Sequence, residues 1–151
     1  MDVRISAGDE LFTLRAAALI IHNDCLLMVK DAKHDSYYTV GGKVHLGESS
    51  QQAARREACE ETGCRLSVNR LLFVQERFFT FEQKQHHEIC FYYLMDFDDE
   101  SIREGAHTDQ HFETLHYLPI RDLSQYNIVP AFLKSALQHL PAQPQHIICR
   151  E

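Results

Sequence analysis

The chain has 151 residues, 44% of them hydrophobic and 25% charged, which suits one globular domain over residues 1–151 and excludes the disordered class. Its 15 Lys and Arg against 22 Asp and Glu leave a net charge of −7, the wrong sign for a partner of duplex nucleic acid or of an anionic membrane surface. The longest apolar run, Ala16 to Ile21, is far below the roughly 18 residues that would cross a bilayer. No basic stretch followed by an apolar core stands at Met1-Asp2-Val3-Arg4, so no signal peptide is read there. Five cysteines, with no C-x-x-C pair among them, argue for reduced thiols and a cytoplasmic protein.

In chain order, Thr13 to His22 is β-branched and aliphatic and predicts a strand. Asn23-Asp24 predicts a two-residue turn, and Cys25 to Lys30 the returning arm of a hairpin. A polar loop, Asp31 to Ser36, leads to a short extended piece, Tyr37 to Val40, and then Gly41-Gly42. Ser49 with Gln52 three residues on is a capping box. Ser50 to Thr62 is rich in good helix formers, and Gly63 stands where a left-handed residue ends a helix. Two extended stretches follow, Leu66 to Phe79 and Glu88 to Met95, with polar Glu82 to His87 between them as a loop. Phe112 to Leu118 predicts a further strand. Pro130 to Leu140 predicts a second helix, with apolar residues at helical spacing after a first-turn proline. Ile147 to Cys149 predicts an edge strand. This order suits an α/β fold, a sandwich around a mixed β-sheet.

The chemistry concentrates between Gly42 and Cys64. Five residues after Gly42 comes Glu48; seven further on comes Arg56-Glu57-Ala58-Cys59-Glu60-Glu61-Thr62-Gly63-Cys64. At about 100° per residue, Glu60 and Glu61 fall roughly 60° and 40° to either side of Glu57, so all three acids share one wedge of the helix. Ala54 and Ala58 form a small-residue stripe beside it, suited to close packing on a sheet. Like charges crowded on one turn repel, and a cation between them relieves that repulsion. Hard divalent ions are the natural occupants, since Mg²⁺ takes carboxylate, carbonyl and phosphate oxygens. Gly41-Gly42 lets backbone approach an ion or phosphate, and Arg56 can reach round to orient a carboxylate.

Read whole, the segment resembles the Nudix box, G-x5-E-x7-R-E-U-x-E-E-x-G-U, matching at every glycine, glutamate and arginine; only Cys64, at the last aliphatic position, departs mildly. The stretch His87 to Tyr93, the segment Tyr117-Leu118-Pro119-Ile120 and the closing helix extend the resemblance along most of the chain. It implies a Nudix-type α/β/α sandwich and hydrolysis of a nucleoside diphosphate linked to another moiety, with Mg²⁺ or Mn²⁺ and water as the nucleophile. By position, the resemblance makes Glu60 and Glu61 metal ligands, with the Gly41 carbonyl beside them. Glu57 becomes a ligand or the base, held by Arg56. Gly42 and Glu48 support the loop–helix joint.

Such enzymes often add one acid from outside the box. Glu88 is the first choice, with Glu113 and Asp109 behind it. His86-His87 and His107-x-Asp109-x-His111 are read as exposed loop histidines rather than a zinc site. Lys43, Arg15 and Arg77 are candidate phosphate contacts. Tyr37, Tyr38, Phe78, Phe79 and Phe81 are candidates for stacking a base.

Subgroup markers are missing. Marked ADP-ribose hydrolases carry a downstream proline where this chain has Phe79-Thr80, and no tyrosine of the dinucleoside-polyphosphate type lies between Cys64 and Tyr92. A (modified) nucleoside triphosphate is therefore the leading substrate, with ADP-ribose and nucleotide sugars next. A non-catalytic nucleotide-binding module is the rival reading, although such modules usually lose box acids. The net charge counts against an RNA-directed hydrolase, and a homodimer, common in the family, stays open.

Overall fold

The elements around the Gly-Gly pair set the geometry that matters. The computed structural model describes residues 1–97 and 101–151. Among them, β1 (Arg4–Ala7) and β2 (Glu10–Leu19) form a first hairpin, followed by β3 (Ile21–His22), β4 (Cys25–Asp31) and β5 (Tyr37–Lys43). Helix α1 (Ser50–Thr62) precedes the long strands β6 (Ser67–Phe81) and β7 (Lys84–Asp96). Then come β8 (Glu113–Pro119), a 3-10 turn (Ile120–Gln125), β9 (Ile128–Val129), α2 (Leu133–Ala136) and β10 (Gln145–Arg150).

The sheet is mixed. Its order is β10-β6-β7-β2-β5-β4-β3, with β1, β8 and β9 added on β2, β4 and β5. The β2–β7 and β10–β6 pairs are parallel, whereas β6–β7, β2–β5 and β4–β5 are antiparallel. Strand β5 changes partner halfway: Tyr37 to Thr39 pair with β4, and Val40 to Lys43 pair with β2. Gly41 and Gly42 lie just past that transfer.

Alternation along β2 sorts the two faces. Ala16 and Ala18 join Ala53, Ala54 and Ala58 of α1 in one core, so the small-residue stripe packs on the sheet as the sequence predicts. Ala17 and Leu19 join Phe73, Tyr92, Leu133 and Leu137 in a second core on the opposite face. All five cysteines are free, with Cys64 and Cys90 buried. Among the described residues no helix is long and apolar enough to cross a membrane.

Two expectations are corrected, and strands β1 and β9 stand where the sequence reading placed none. The polar run Glu82 to His87 is not a loop: only Glu82 and Gln83 turn, both at positive φ (48° and 64°), and β7 begins at Lys84. A two-residue turn of this kind suits the right-handed twist of a hairpin, and Asn23-Asp24, at 49° and 59°, repeats it as predicted. The second helix is four residues rather than eleven. Phe132 supplies no side-chain cap, and the Leu133 and Lys134 amides close three-residue turns onto Pro130 and Ala131 instead. Leu133 and Leu137 are buried as its apolar spacing requires, but Leu140 is exposed.

Candidate functional site

Helix α1 is fixed at both ends. The Ser49 hydroxyl accepts from the Gln52 amide at 3.1 Å and the Gln52 side chain accepts from the Ser49 amide at 2.9 Å. Gly63, at φ 73°, closes the other end by donating to the Cys59 carbonyl. The wedge of carboxylates is thereby held against β5, where Gly42 leaves room for it: a Cβ at Gly42 would overlap the Glu57 carboxylate. Gly41, at φ 153°, has no room either, since a Cβ there would run into the backbone of Ala16 and Ala17.

Arg56 ties the N-terminal part of the site together. Its Nε and Nη2 donate to the two oxygens of Glu48 at 2.8 and 3.0 Å, a bidentate pair. Nη1 donates to Glu57 Oε1 at 2.6 Å and lies 3.4 Å from Glu60, while Nη2 also donates to the Lys43 carbonyl at 3.0 Å. Glu48 accepts a further bond from the His45 amide at 3.0 Å. The Arg56 hydrogen bonds, with help from that amide, pull the Glu48 pKa down to about 2, and Arg56 in turn is held charged by Glu48 and Glu57.

Glu61 is in the opposite situation. Burial first, then the charges of Glu57 and Glu113, push its pKa up to about 9, against one favourable bond from the Gly41 amide. Its Oε2 is buried with no hydrogen-bond partner. Glu113 is itself raised by burial, countered by the Thr108 hydroxyl. So the acids that bear on Glu61 from outside the box are Glu113 and, more weakly, Asp109, which the sequence ranks behind Glu88.

Glu88 does not open its strand, contrary to the sequence reading. It is mid-strand in β7, opposite Thr13 of β2, and Arg15 faces it with Nε 3.8 Å from Oε2. Burial opposes the charge on Arg15, but Glu88 foremost, and Glu57 more weakly, hold its pKa raised. Lys43 meets Asp2 at 3.3 Å and Arg77 meets Glu151 at 2.7 Å. Of the histidine candidates, His107 and His111 are exposed, but His86 and His87 are half-buried in β7, stacked on Phe79 and Phe78 at 4.6 and 4.4 Å. Tyr37 packs edge-on against Tyr126 and His116. Tyr38 and Phe81 remain exposed.

Among the described residues no three His, Cys, Asp or Glu side chains are drawn together closely enough to hold a metal; Arg56 engages Glu48, Glu57 and Glu60 itself. The donor set still fits a hard dication. It is all oxygen, it leaves a buried carboxylate oxygen without a partner, and it lies over glycine, where a side chain would block approach.

Comparison with known proteins bears on the fold and the family. The model of the NUDIX domain matches residues 12–140. The MutT protein of Bacillus halodurans is similar in structure, with 16% identity and a TM-score of 0.63 over 89% of each chain. The MutT protein of Methanosarcina mazei has 18% identity and a TM-score of 0.63, over 85% of this chain and 91% of that one. An ADP-ribose pyrophosphatase of Streptococcus suis has 14% identity and a TM-score of 0.55, over 89% and 98%. At such identities these likenesses speak to the fold. No curated relative matches the chain. With the family model covering most of its length, and a complete box folded into one helix and the glycine strand beneath it, the chain belongs to the Nudix hydrolase family.

Proposed function

We propose that this Nudix hydrolase cleaves a phosphoanhydride in a nucleoside diphosphate linked to another moiety. It uses Mg²⁺ or Mn²⁺, and a (modified) nucleoside triphosphate is its first candidate substrate. ADP-ribose and nucleotide sugars follow; likeness to a pyrophosphatase acting on the former keeps it in the comparison. The observation that carries the reading is Glu61: a carboxylate pressed among like charges, one oxygen unpartnered, is an arrangement that a bound dication would relieve.

In this reading Glu57, Glu60 and Glu61 hold the ion, with the Gly41 carbonyl beside them; Glu88 joins only by leaving Arg15. When bound, the ion lowers the pKa of a coordinated water by many units and neutralises charge on the departing phosphate. Arg56 fixes Glu57 through Oε1, leaving Oε2 either to face the ion or to take the proton of the attacking water. Glu48 holds Arg56 in turn, and Gly42 keeps the approach clear. The enzyme acts as one domain, in the cytoplasm, on a small soluble nucleotide.

The test is a panel of nucleoside di- and triphosphates, ADP-ribose, nucleotide sugars and dinucleotides with Mg²⁺ and then Mn²⁺. Release of phosphate, pyrophosphate or a nucleoside monophosphate that vanishes in Glu57→Gln supports the reading. A flat panel from folded protein overturns it in favour of a non-catalytic nucleotide-binding module.

A further inference from the structure

A cavity of about 700 Å³ opens on the sheet face away from α1, floored by Thr13, Ala17, Cys90 and Tyr92. Its inner border is Arg15 and Lys43, directly opposite each other in the β2–β5 pairing and one step from Ala16 and Gly42. It therefore adjoins the box glycines that lie beneath Glu57. Its walls carry Arg4, Arg15, Lys43 and Arg77 against Glu88 and Glu151. A net-cationic hollow in a chain of net charge −7 is a local reversal of sign, and walls of low dielectric concentrate its field.

Of the rings that line this hollow, Phe79 is already engaged, whereas Tyr38 and Phe81 stay exposed. Phe79 is stacked by His86 at 4.6 Å and covered by the Arg77 guanidinium at 4.0 Å. With both groups that close, the Phe79 ring is poorly placed to stack a base. Phe78, on the other side of the sheet, is covered in the same way by His87 and Arg150.

The cations differ in how much of that charge is already used. Arg77 closes on Glu151 through two nitrogens at 3.1 and 2.7 Å, and Lys43 meets Asp2 at 3.3 Å. Arg15 stands 3.8 Å from Glu88, beyond hydrogen-bond range, so Glu88 orients its fork without occupying the donors. A guanidinium in that state, about a third exposed (36%), suits bidentate capture of a phosphate.

We propose that the hollow selects substrate by charge: the part of the molecule beyond the scissile diphosphate carries a further phosphate, and Arg15 receives it. The proposal rests on the hydrolase reading for the placement of the diphosphate, but its test needs no turnover. Glu88 is then a positioning residue for Arg15.

Calorimetric binding to the intact protein in excess EDTA compares two pairs of probes, inorganic pyrophosphate with tripolyphosphate and ADP-ribose with ADP-ribose 2′-phosphate. The added phosphate is expected to tighten binding about ten-fold in at least one pair, as one charge-assisted bond would. The pair that gains tells whether that phosphate extends the chain or branches from the nucleoside. The gain disappears in Arg15→Ala, and 0.5 M salt weakens it in the wild type. If Arg15→Ala fails to fold, Arg15→Lys and Arg15→Gln decide, each reducing the gain. No gain in either pair overturns the proposal, as does a gain undiminished in folded variants. Because hydrolysis is not read, a gain without turnover on the nucleotide panel would sink the enzyme reading alone, and turnover without a gain would sink this proposal alone.

Discussion

Glu48, just before helix α1, and Glu61, in its last turn, belong to the same sequence motif and are both largely shielded from water, yet their protons behave in opposite ways. Glu48 has a cation built into the chain: Arg56 closes on both of its oxygens, and its pKa falls to about 2. Glu61 has one backbone amide and a set of like charges, and its pKa rises to about 9. Burial opposes ionisation at both sites; what separates them is the presence of a partner. One end of the helix is electrostatically complete within the polypeptide. The other becomes complete when something positive arrives.

The largest effect should come from breaking the incomplete end chemically. Glu57→Gln or Glu60→Gln is expected to lower product release about 10²–10⁴-fold on whichever nucleotide is turned over, measured by phosphate or pyrophosphate assay. Breaking the complete end costs stability instead. Arg56→Gln leaves Glu48 and Glu57 facing each other, and denaturant unfolding should show a loss of about 2–4 kcal/mol, less than for a fully buried pair because the site is partly exposed. Glu48 ionises in the fold below its ordinary 4.5. Its contribution is therefore present above pH 4.5 and lost as pH falls toward 2.

Glu61 carries the opposite sign. The folded state keeps a proton that the unfolded state releases at 4.5, so stability falls as pH rises from 4.5 toward 9. In EDTA, Glu61→Gln should unfold about 1–3 kcal/mol later than wild type at pH 8, with no such advantage at pH 4. Added Mg²⁺ should stabilise the wild type and narrow the difference. The smallest effect concerns the frame both ends share: Ser49→Ala should cost about 1 kcal/mol, read as a shift in melting temperature with the pH dependence unchanged.

Legibility in the sequence follows the range of the forces involved. The capping box, the Gly63 stop, the Asn23-Asp24 turn and the alanine stripe are local, and each appears in the fold where its residues place it. The helical wedge is local too, so Glu57, Glu60 and Glu61 could be grouped from spacing alone. What lies across the sheet could not. The Arg15–Glu88 pair depends on a parallel register between strands some seventy positions apart, and the approach of Glu113 to Glu61 depends on where β8 docks. Glu82-Gln83 was misread because neither residue is a typical positive-φ former, yet the hairpin's twist demands that conformation of both. The closing helix shortened for want of a cap at Phe132.

The most direct measurement is Mn²⁺ binding by electron paramagnetic resonance on metal-free protein at pH 8. The account predicts that the wild type binds Mn²⁺ and that Glu61→Gln and Glu57→Gln weaken it about ten-fold or more, while Glu76→Gln, remote on β6 beside His146, leaves it unchanged. Equal binding by all four proteins, or none by the wild type, would contradict it.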